Sequence, residues 1–191
     1  MKENLPDKEL IAGIIAGDER CCRSLIERYS SYALTLAVRV LENREDAEEV
    51  AHDAFLKAFK SLEGFKMESK FTTWFYRIVV NLAISKKRKK KIDTREMTDR
   101  DVDLSHYSQF EEMGHLPAAD RTHFIHEALG ELNSEERLVI SLYYFKELEM
   151  EEVSEITGID RNNLKVKLFR ARKKLAVVLT NLLNREVRDL I

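Results

Sequence analysis

The carboxy-terminal third of the chain carries a pattern that limits its fold closely. Residues 150–175, "MEEVSEITGIDRNNLKVKLFRARKKL", place two helical patterns on either side of Gly158. Glycine suits the positive φ that ends a helix, and the apolar residues of the second pattern recur at helical spacing. These features predict a helix-turn-helix. Its apolar positions are Val153, Ile156 and Ile159 in the first helix and turn, and Leu164, Leu168, Ala171 and Leu175 in the second helix.

The opposite face of that second helix is basic. Residues 161–175 hold seven lysines and arginines and no acid, in a chain whose formal net charge is −2. A solvated helix face alone would explain the charge, but its combination with the short first helix and the turn favours DNA binding. Amide and guanidinium groups can meet base edges while lysines meet phosphates. The candidate contacts are Arg161, Asn162, Asn163, Lys165, Val166, Phe169, Arg170 and Lys173.

A second basic block lies in the amino-terminal half. Residues 69–92 contain eight bases and no acid, whereas residues 93–120 contain eight acids and two bases. Two basic blocks separated by an acidic stretch indicate two contacts with a polyanion. Aromatic residues beside the bases suit stacking on unpaired bases, although Trp74 and Phe75 are expected in the core. Favourable placement of cations near a helix carboxy end would also explain the lysine run.

Composition and periodicity predict an all-α fold. Six glycines and two prolines are few, and apolar spacing predicts helices over residues 7–18, 19–41, 43–62 and from residue 72 or 73 to 91. Asp18 and Asn43 are predicted caps, and Asn133 with Glu136 has capping-box spacing. Because residues 93–119 lose periodicity, they are predicted to be an acidic linker. The linker joins two small helical domains, residues 1–92 and 120–191, and the second domain contains the helix-turn-helix.

Other sequence features bound the protein class. No apolar run reaches the roughly 18 residues of a membrane span, and the amino terminus lacks a signal peptide's apolar core. A cytoplasmic protein without stable membrane insertion is therefore expected. The adjacent Cys21 and Cys22 close no useful loop, so a structural disulfide is not expected. Two cysteines without a nearby histidine make a poor zinc site, and we expect neither a metal nor a cofactor.

Two other classes of protein remain open from the residues alone. A helix-turn-helix regulator with an amino-terminal sensor or dimer domain explains the carboxy-terminal motif but not the aromatic and basic helix. An enzyme could use His123, His126 and Glu127 as a metal cluster, or His52 and Asp53 as an acid–base pair. Surface positions on helices explain these residues better, and the chain has no Gly-rich phosphate loop or nucleophile motif.

Three segments, in this order, resemble the extracytoplasmic-function (ECF) group of bacterial RNA polymerase sigma factors. "REDAEEVAHDAFLKAFKSL" resembles the family's polymerase-binding helix, and "FKMESKFTTWFYRIVVNLAISKKRKKK" resembles its promoter-melting segment. "ALGELNSEERLVISLYYFKELEMEEVSEITGIDRNNLKVKLFRARKKL" resembles its carboxy-terminal domain. The resemblance implies a non-enzymatic factor that binds core polymerase and directs promoter-specific transcription initiation. The implied partners are the clamp helices of the largest polymerase subunit, the flap, promoter DNA and an anti-sigma factor.

The resemblance also implies roles by position. The implied polymerase contacts are Asp46, Glu49, Asp53, Phe55 and Phe59. Residues 62–69, including Phe65 and Lys66, correspond to the loop that captures a flipped base of the minus-ten element. Contacts with the opened strand fall to Arg77, Asn81, Lys86 and Lys87. The helix that reads the minus-thirty-five element includes Lys165, Val166, Phe169 and Arg170.

The chain departs from the family pattern on that last helix. The family commonly has a small polar residue where this chain has Val166. It often has Gly-Thr where this chain has Asn162 and Asn163. These departures concern the promoter sequence that the helix reads and not the fold.

Overall fold

A computed structural model of the chain describes residues 5–93 and 118–189, and side chains within residues 5–90 and 124–182. The described part contains helices and no strand, and the chain divides into two compact units. The prediction of an all-α fold with two helical domains is therefore confirmed. Most of the predicted acidic linker lies outside the described residues.

The first unit contains four α-helices. They are α1 (Asp7–Ile15), α2 (Glu19–Leu41), α3 (Arg44–Ser61) and α4 (Phe71–Asp93), with a 3₁₀ turn (Leu62–Gly64) after α3. Helices α2, α3 and α4 pack on one another, and α1 packs on α2.

The starts of these helices follow the sequence closely. The side chain of Asp18 accepts a hydrogen bond from the N–H of Arg20, and that of Asn43 accepts one from the N–H of Asp46. Both predicted caps are confirmed. Helix α1 ends three residues earlier than predicted because Gly17 takes φ +87°. Helix α4 starts one or two residues early because the N–H of Trp74 already bonds to the carbonyl of Lys70.

Small and aromatic residues together build the core of the first unit. Ala47, Ala54 and Ala58 on α3 are fully buried, so neighbouring helices approach closely there. Phe75 is fully buried, as predicted, and its ring lies 4.6 Å from that of Phe55 and 5.6 Å from that of Phe71 between centroids. Trp74 is only half-buried.

The contact between α1 and α2 depends on one glycine. A Cβ atom at Gly13 would lie 2.4 Å from Sγ of the buried Cys21, so a larger residue there would force Cys21 to shift. Cys21 and Cys22 both carry free thiols, and burial raises the pKa of the Cys22 thiol. A thiol with a raised pKa is less often the reactive thiolate near neutral pH.

The remaining elements are α5 (Ala118–Gly130), α6 (Ser134–Ile140), a π-helical turn (Ser141–Phe145), α7 (Met150–Thr157) and α8 (Arg161–Asp189). All of them belong to the second unit except residues 155–157 of α7, which group with the first unit. Helix α5 covers the last two residues of the stretch predicted as linker, because Ala118 and Ala119 are strong helix formers. The predicted capping box is confirmed. Asn133 and Glu136 each accept a hydrogen bond from the other's backbone N–H, at 2.9 and 3.1 Å.

A buried arginine holds the turn between α5 and α6. The guanidinium of Arg137 donates hydrogen bonds to the carbonyls of Leu129, Gly130 and Leu132 at 2.8, 3.0 and 2.8 Å. These bonds satisfy backbone acceptors that the end of α5 leaves open. They fix α6 and α5 as a support on which α8 packs.

Candidate nucleic-acid interface

The turn before α8 has the predicted geometry. Gly158 takes φ +71°, and Val153 and Ile156 of α7 are buried. The hydroxyl of Ser154 donates a hydrogen bond to the carbonyl of Ile159 at 2.6 Å, which closes the turn. The first half of the helix-turn-helix is thus held by both packing and hydrogen bonds.

Asp160 caps the start of α8, a role that sequence reasoning missed. Its Oδ1 accepts hydrogen bonds from the N–H groups of Asn162 at 2.8 Å and Asn163 at 3.4 Å. Its other carboxylate oxygen accepts from the side-chain amide of Asn163. An aspartate directly before a helical pattern is a cap signal, so the sequence contained this information. One consequence is that the amide of Asn163 is directed towards Asp160.

Helix α8 has one buried side and one exposed side. Leu164, Leu168 and Ala171 are buried and Leu175 is half-buried, so the predicted core stripe is confirmed. All eight predicted DNA contacts of this helix are exposed. Val166 and Phe169 are the large apolar residues among them, with 46% and 60% of their surfaces exposed. The structure therefore brings the eight predicted residues together on one helix. Arg161 and Lys165 lie nearer the edges of its exposed face.

The seven basic residues in positions 161–175 of α8 divide into two groups. Lys167 and Lys174 pair with Glu135 and Glu136 of α6 at 2.7 and 3.7 Å, and Arg161 pairs with Glu151 of α7 at 2.5 Å. The remaining four form no ion pair with side chains in the described ranges. These are Lys165, Arg170, Arg172 and Lys173. Positive charge on α8 is thus partly used within the unit and partly presented outwards.

The loop before α4 contains the other predicted base contact. Phe65 is half-buried, and its ring lies 4.8 Å from that of Trp74 and 6.1 Å from that of Phe71. Lys66 and Met67 are exposed, and Met67 takes φ +57°, which residues other than glycine rarely adopt. The loop therefore rests on an aromatic base and presents Lys66 and Met67 at its tip.

The predicted contacts on α4 separate into two faces. Arg77 and Asn81 are exposed, and their spacing of four residues places them on one face. Arg88 continues that face seven residues further on and is exposed. Sequence reasoning missed Arg88, although the 77–81–88 spacing is a helical signal.

Lys86 and Lys87 lie on the other side of α4. The ammonium of Lys86 lies 2.6 Å from a carboxylate oxygen of Glu49 and 3.3 Å from one of Asp46. The ammonium of Lys87 donates to the carbonyl of Val40 at 2.8 Å and lies 3.4 Å from a carboxylate oxygen of Glu42. Both lysines are half-buried and bind groups of α2 and α3. The structure does not bring them together with Arg77 and Asn81.

The predicted polymerase contacts on α3 also separate. Asp46 lies 2.6 Å from Lys90, and hydrogen bonds from Lys90 and Lys86 lower the pKa of its carboxyl despite partial burial. Glu49 and Asp53 are exposed. Phe55 is buried in the aromatic core, and Phe59 is half-buried beside it.

Leu56 is an exposed apolar residue on the acidic face of α3. It is 45% exposed and lies three residues after Asp53 and seven after Glu49, so all three share one face. Sequence reasoning did not select it, although the same spacing is visible in the sequence. The outward surface of α3 therefore combines two carboxylates with one leucine.

The other candidate residues are those considered for a metal cluster or an acid–base pair. Among the described residues, no group of three or more His, Cys, Asp or Glu side chains is arranged to hold a metal ion. The side chain of His123 lies outside the described part, and His52 and Asp53 are exposed neighbours on α3. No helix within the described ranges is long and apolar enough to cross a bilayer.

Both units match known family models. Residues 25–92 match the model described as Sigma-70 region 2, and residues 125–175 match that described as Sigma-70, region 4. The ECF RNA polymerase sigma factor SigW of Bacillus subtilis is 32% identical over 184 residues, which covers 92% of this chain and 97% of that protein. This chain belongs to the ECF RNA polymerase sigma factors. The resemblance drawn from its three segments is confirmed.

Further comparisons agree with this membership. The ECF RNA polymerase sigma-E factor of Escherichia coli K12 is 28% identical to this sigma factor over 185 residues, covering 92% of this chain and 95% of that protein. The sigma factor RpoE of Bartonella quintana, solved with the anti-sigma factor NepR, has a TM-score of 0.68 at 21% identity, covering 83% of this chain and 96% of that one. CnrH, solved with the cytosolic domain of CnrY, has a TM-score of 0.60 at 22% identity, covering 92% and 97%. These two structures support the fold.

Proposed function

We propose that this sigma factor binds core RNA polymerase and directs promoter-specific initiation through three outward helix faces. The observation that carries the proposal is the exposed face of α8, where Val166, Phe169 and Arg170 lie opposite a buried stripe. The second helix of a helix-turn-helix enters the major groove with its amino-terminal residues on base edges. A face of this composition offers apolar contacts, a guanidinium and amides to those edges.

On α8 we assign base reading to the outward residues and phosphate binding to its edges. We assign Arg170 to a guanine edge, which it would bind through two hydrogen bonds, and we assign Lys165 and Lys173 to phosphates. Lys167 and Lys174 are assigned to holding α6 against α8, because carboxylates of α6 already pair with them. On this account, minus-thirty-five recognition depends on the bases of α8 that form no ion pair with described side chains.

In the first unit we assign the opened strand to the loop and to one face of α4. Lys66 and Met67 at the loop tip, supported by Phe65, flank the space for a flipped base of the minus-ten element. Arg77 and Asn81, with Arg88 on the same face, follow the strand's phosphates and base edges. Lys86 and Lys87 are assigned to bracing α4, in place of the strand contact that the family resemblance implies for them.

We assign polymerase binding to the outward face of α3. Glu49, Asp53 and Leu56 present carboxylates and one apolar group together, which suits a basic and partly apolar surface such as the clamp helices. Phe55 acts from the core by fixing α3 against α4, with Phe59 beside it. The ion pair between Glu49 and Lys86 joins this face of α3 to the lysines that brace α4.

The remaining parts of the proposal concern partners and setting. RpoE and CnrH, which share the fold, were solved with an anti-sigma factor and with the cytosolic domain of CnrY. We propose that an anti-sigma factor likewise regulates this chain in the cytoplasm. The flap of polymerase is the proposed partner of the second domain. The chain acts by binding and not by catalysis, and residues 94–117 link its two helical domains.

Run-off transcription tests the proposal directly. Bacterial core RNA polymerase is incubated with fragments of the source genome, with and without this chain. Transcripts that appear only when the chain is added support the proposal, and their start sites locate both promoter elements. A chain that binds duplex DNA alone, but neither binds polymerase nor adds transcripts, would instead be a helix-turn-helix regulator.

A further inference from the structure

Val166 lies at the centre of the exposed face of α8. With 3.6 residues per turn, position 166 points almost directly away from the buried Leu164, Leu168 and Ala171 stripe. Its nearest neighbours on the helix surface are the residues four before, three after and four after it. These neighbours are Asn162, Phe169 and Arg170, all of which are exposed.

Valine is an unusual choice for such a position. A β-branched side chain loses rotamer freedom in a helix, and valine is a weaker helix former than most polar residues. At Val166 that cost is not offset by burial, because 46% of the residue is exposed. Valine also has no donor or acceptor, so it cannot read a base through hydrogen bonds. Its use in a DNA groove is an apolar contact.

We propose that Val166 reads the 5-methyl group of a thymine in the minus-thirty-five element. The thymine methyl is the apolar group that a base pair presents in the major groove, and apolar side chains contact it there. Arg170, one turn further along, binds the guanine assigned to it beside that base pair. This inference rests on the proposed function, and it names the base chemistry that the α8 face selects.

Deoxyuridine isolates this contact, because it differs from thymidine only in lacking the methyl group. A pool of random-sequence duplexes is prepared once with thymidine and once with deoxyuridine, and each is selected on the complex of this chain with core RNA polymerase. Enriched duplexes are then remade with deoxyuridine at one position at a time. We expect one position to weaken binding about fourfold, as for the loss of one buried methyl group.

Val166→Thr supplies the matching protein change. Threonine keeps the shape of valine but replaces a methyl with a hydroxyl, so the effect of deoxyuridine at that position should shrink to less than about 1.5-fold. Val177→Thr is the control, since Val177 is also exposed on α8, at 54%, but lies eleven residues further on, about 16 Å along the helix. The control variant should keep the full fourfold effect.

The outcomes separate this inference from the proposed function. If deoxyuridine weakens the binding of enriched sequences equally for the wild type and Val166→Thr, the thymine contact is wrong. The sigma-factor assignment is then unaffected. The same holds if no single position shows an effect. If polymerase carrying this chain enriches no sequence from either pool, the proposed function fails and this inference falls with it.

Discussion

The basic end of α4 and the basic face of α8 are similar in charge but different in use. On α4, Lys86 and Lys90 bind acids of α3, and Lys87 binds a backbone carbonyl at the end of α2. On α8, Lys165, Arg170 and Lys173 form no ion pair with described side chains. Charge density alone therefore does not indicate which basic helix is available to DNA.

Position relative to the core stripe explains the difference. Lys86 and Lys90 follow the buried Val79 and Ala83 at helical spacing, so they extend the inward side of α4 beyond its apolar core. Their ammonium groups then lie over the amino-terminal turn of α3, where Asp46 is located. On α8, by contrast, the inward positions are Leu164, Leu168 and Ala171, and the bases fall outside them.

The largest expected effect is that of Arg170→Ala on transcription. Loss of a two-bond guanine contact is worth about 1–3 kcal/mol, so promoter-directed transcripts should fall about five- to 150-fold. Binding to core polymerase should be unchanged, as measured by fluorescence anisotropy of the labelled chain. Lys167→Ala on the same helix is the control and should change transcription less than about twofold. Equal losses in the two variants would remove the distinction between paired and outward bases.

Lys87→Met should have a smaller effect, and this effect is on the stability of the first unit. Methionine keeps most of the apolar stem but leaves the carbonyl of Val40 without this donor, which should lower the free energy of unfolding by about 1–2 kcal/mol. Trp74 is the sole tryptophan of the chain and belongs to the first unit, so urea unfolding followed by its fluorescence reports on that unit. Lys89→Met, on the exposed side of α4, should cost less than about 0.5 kcal/mol. If both variants unfold at the same urea concentration, Lys87 is not a brace.

The sequence predicted features that depend on neighbouring residues. The caps at Asp18 and Asn43, the capping box at Asn133 and the positive φ of Gly158 involve groups within a few positions of each other. The stripe of α8 was also predictable, because periodicity assigns each residue to a face. These signals sufficed for the fold class and for the location of the second DNA-binding helix.

The sequence did not predict contacts between distant residues. Lys86 and Glu49 are 37 positions apart, and only the packing of α3 on α4 shows that the lysine meets the acid. The family resemblance assigned Lys86 to DNA and Glu49 to polymerase, yet the structure joins them in one ion pair. The burial of Phe55 likewise depends on the packing of α3 on α4, which brings its ring against that of Phe75.

The difference in stability between the wild type and Asp46→Asn should depend on pH. Hydrogen bonds from Lys90 and Lys86 lower the pKa of Asp46 in the folded state, so its charged form stabilises the first unit above the ordinary carboxyl value of about 3.9. That stability is lost as pH falls through the lower, folded-state pKa. We expect a deficit of up to about 1 kcal/mol at pH 7 that shrinks as pH falls below about 3.9.

Urea unfolding of wild type and variant at several pH values, again followed by Trp74, measures this deficit. Glu45→Gln is the matched control, because Glu45 is an exposed acid in the same first turn of α3. It should share the small effect of the helix dipole but lack the lysine contacts. A deficit in Asp46→Asn that stays constant from pH 7 to pH 3 would mean that the ion pairs contribute nothing.

The smallest expected effect is the coupling between Lys167 and Glu135. Their charged atoms are 2.7 Å apart, but about a third of Lys167 and half of Glu135 are exposed to water. Such pairs typically contribute about 0.2–1 kcal/mol and weaken with salt. A double-mutant cycle with alanine at each position, read by hydrogen exchange of amides in α6 and α8, should give a value in that range. A coupling of zero would leave Lys167 as available to phosphate as Lys173, and its alanine variant should then lower the salt dependence of DNA binding equally. A measurable coupling, with no change in that salt dependence, would show that part of the positive charge of α8 serves to hold the helix in place while the rest faces DNA.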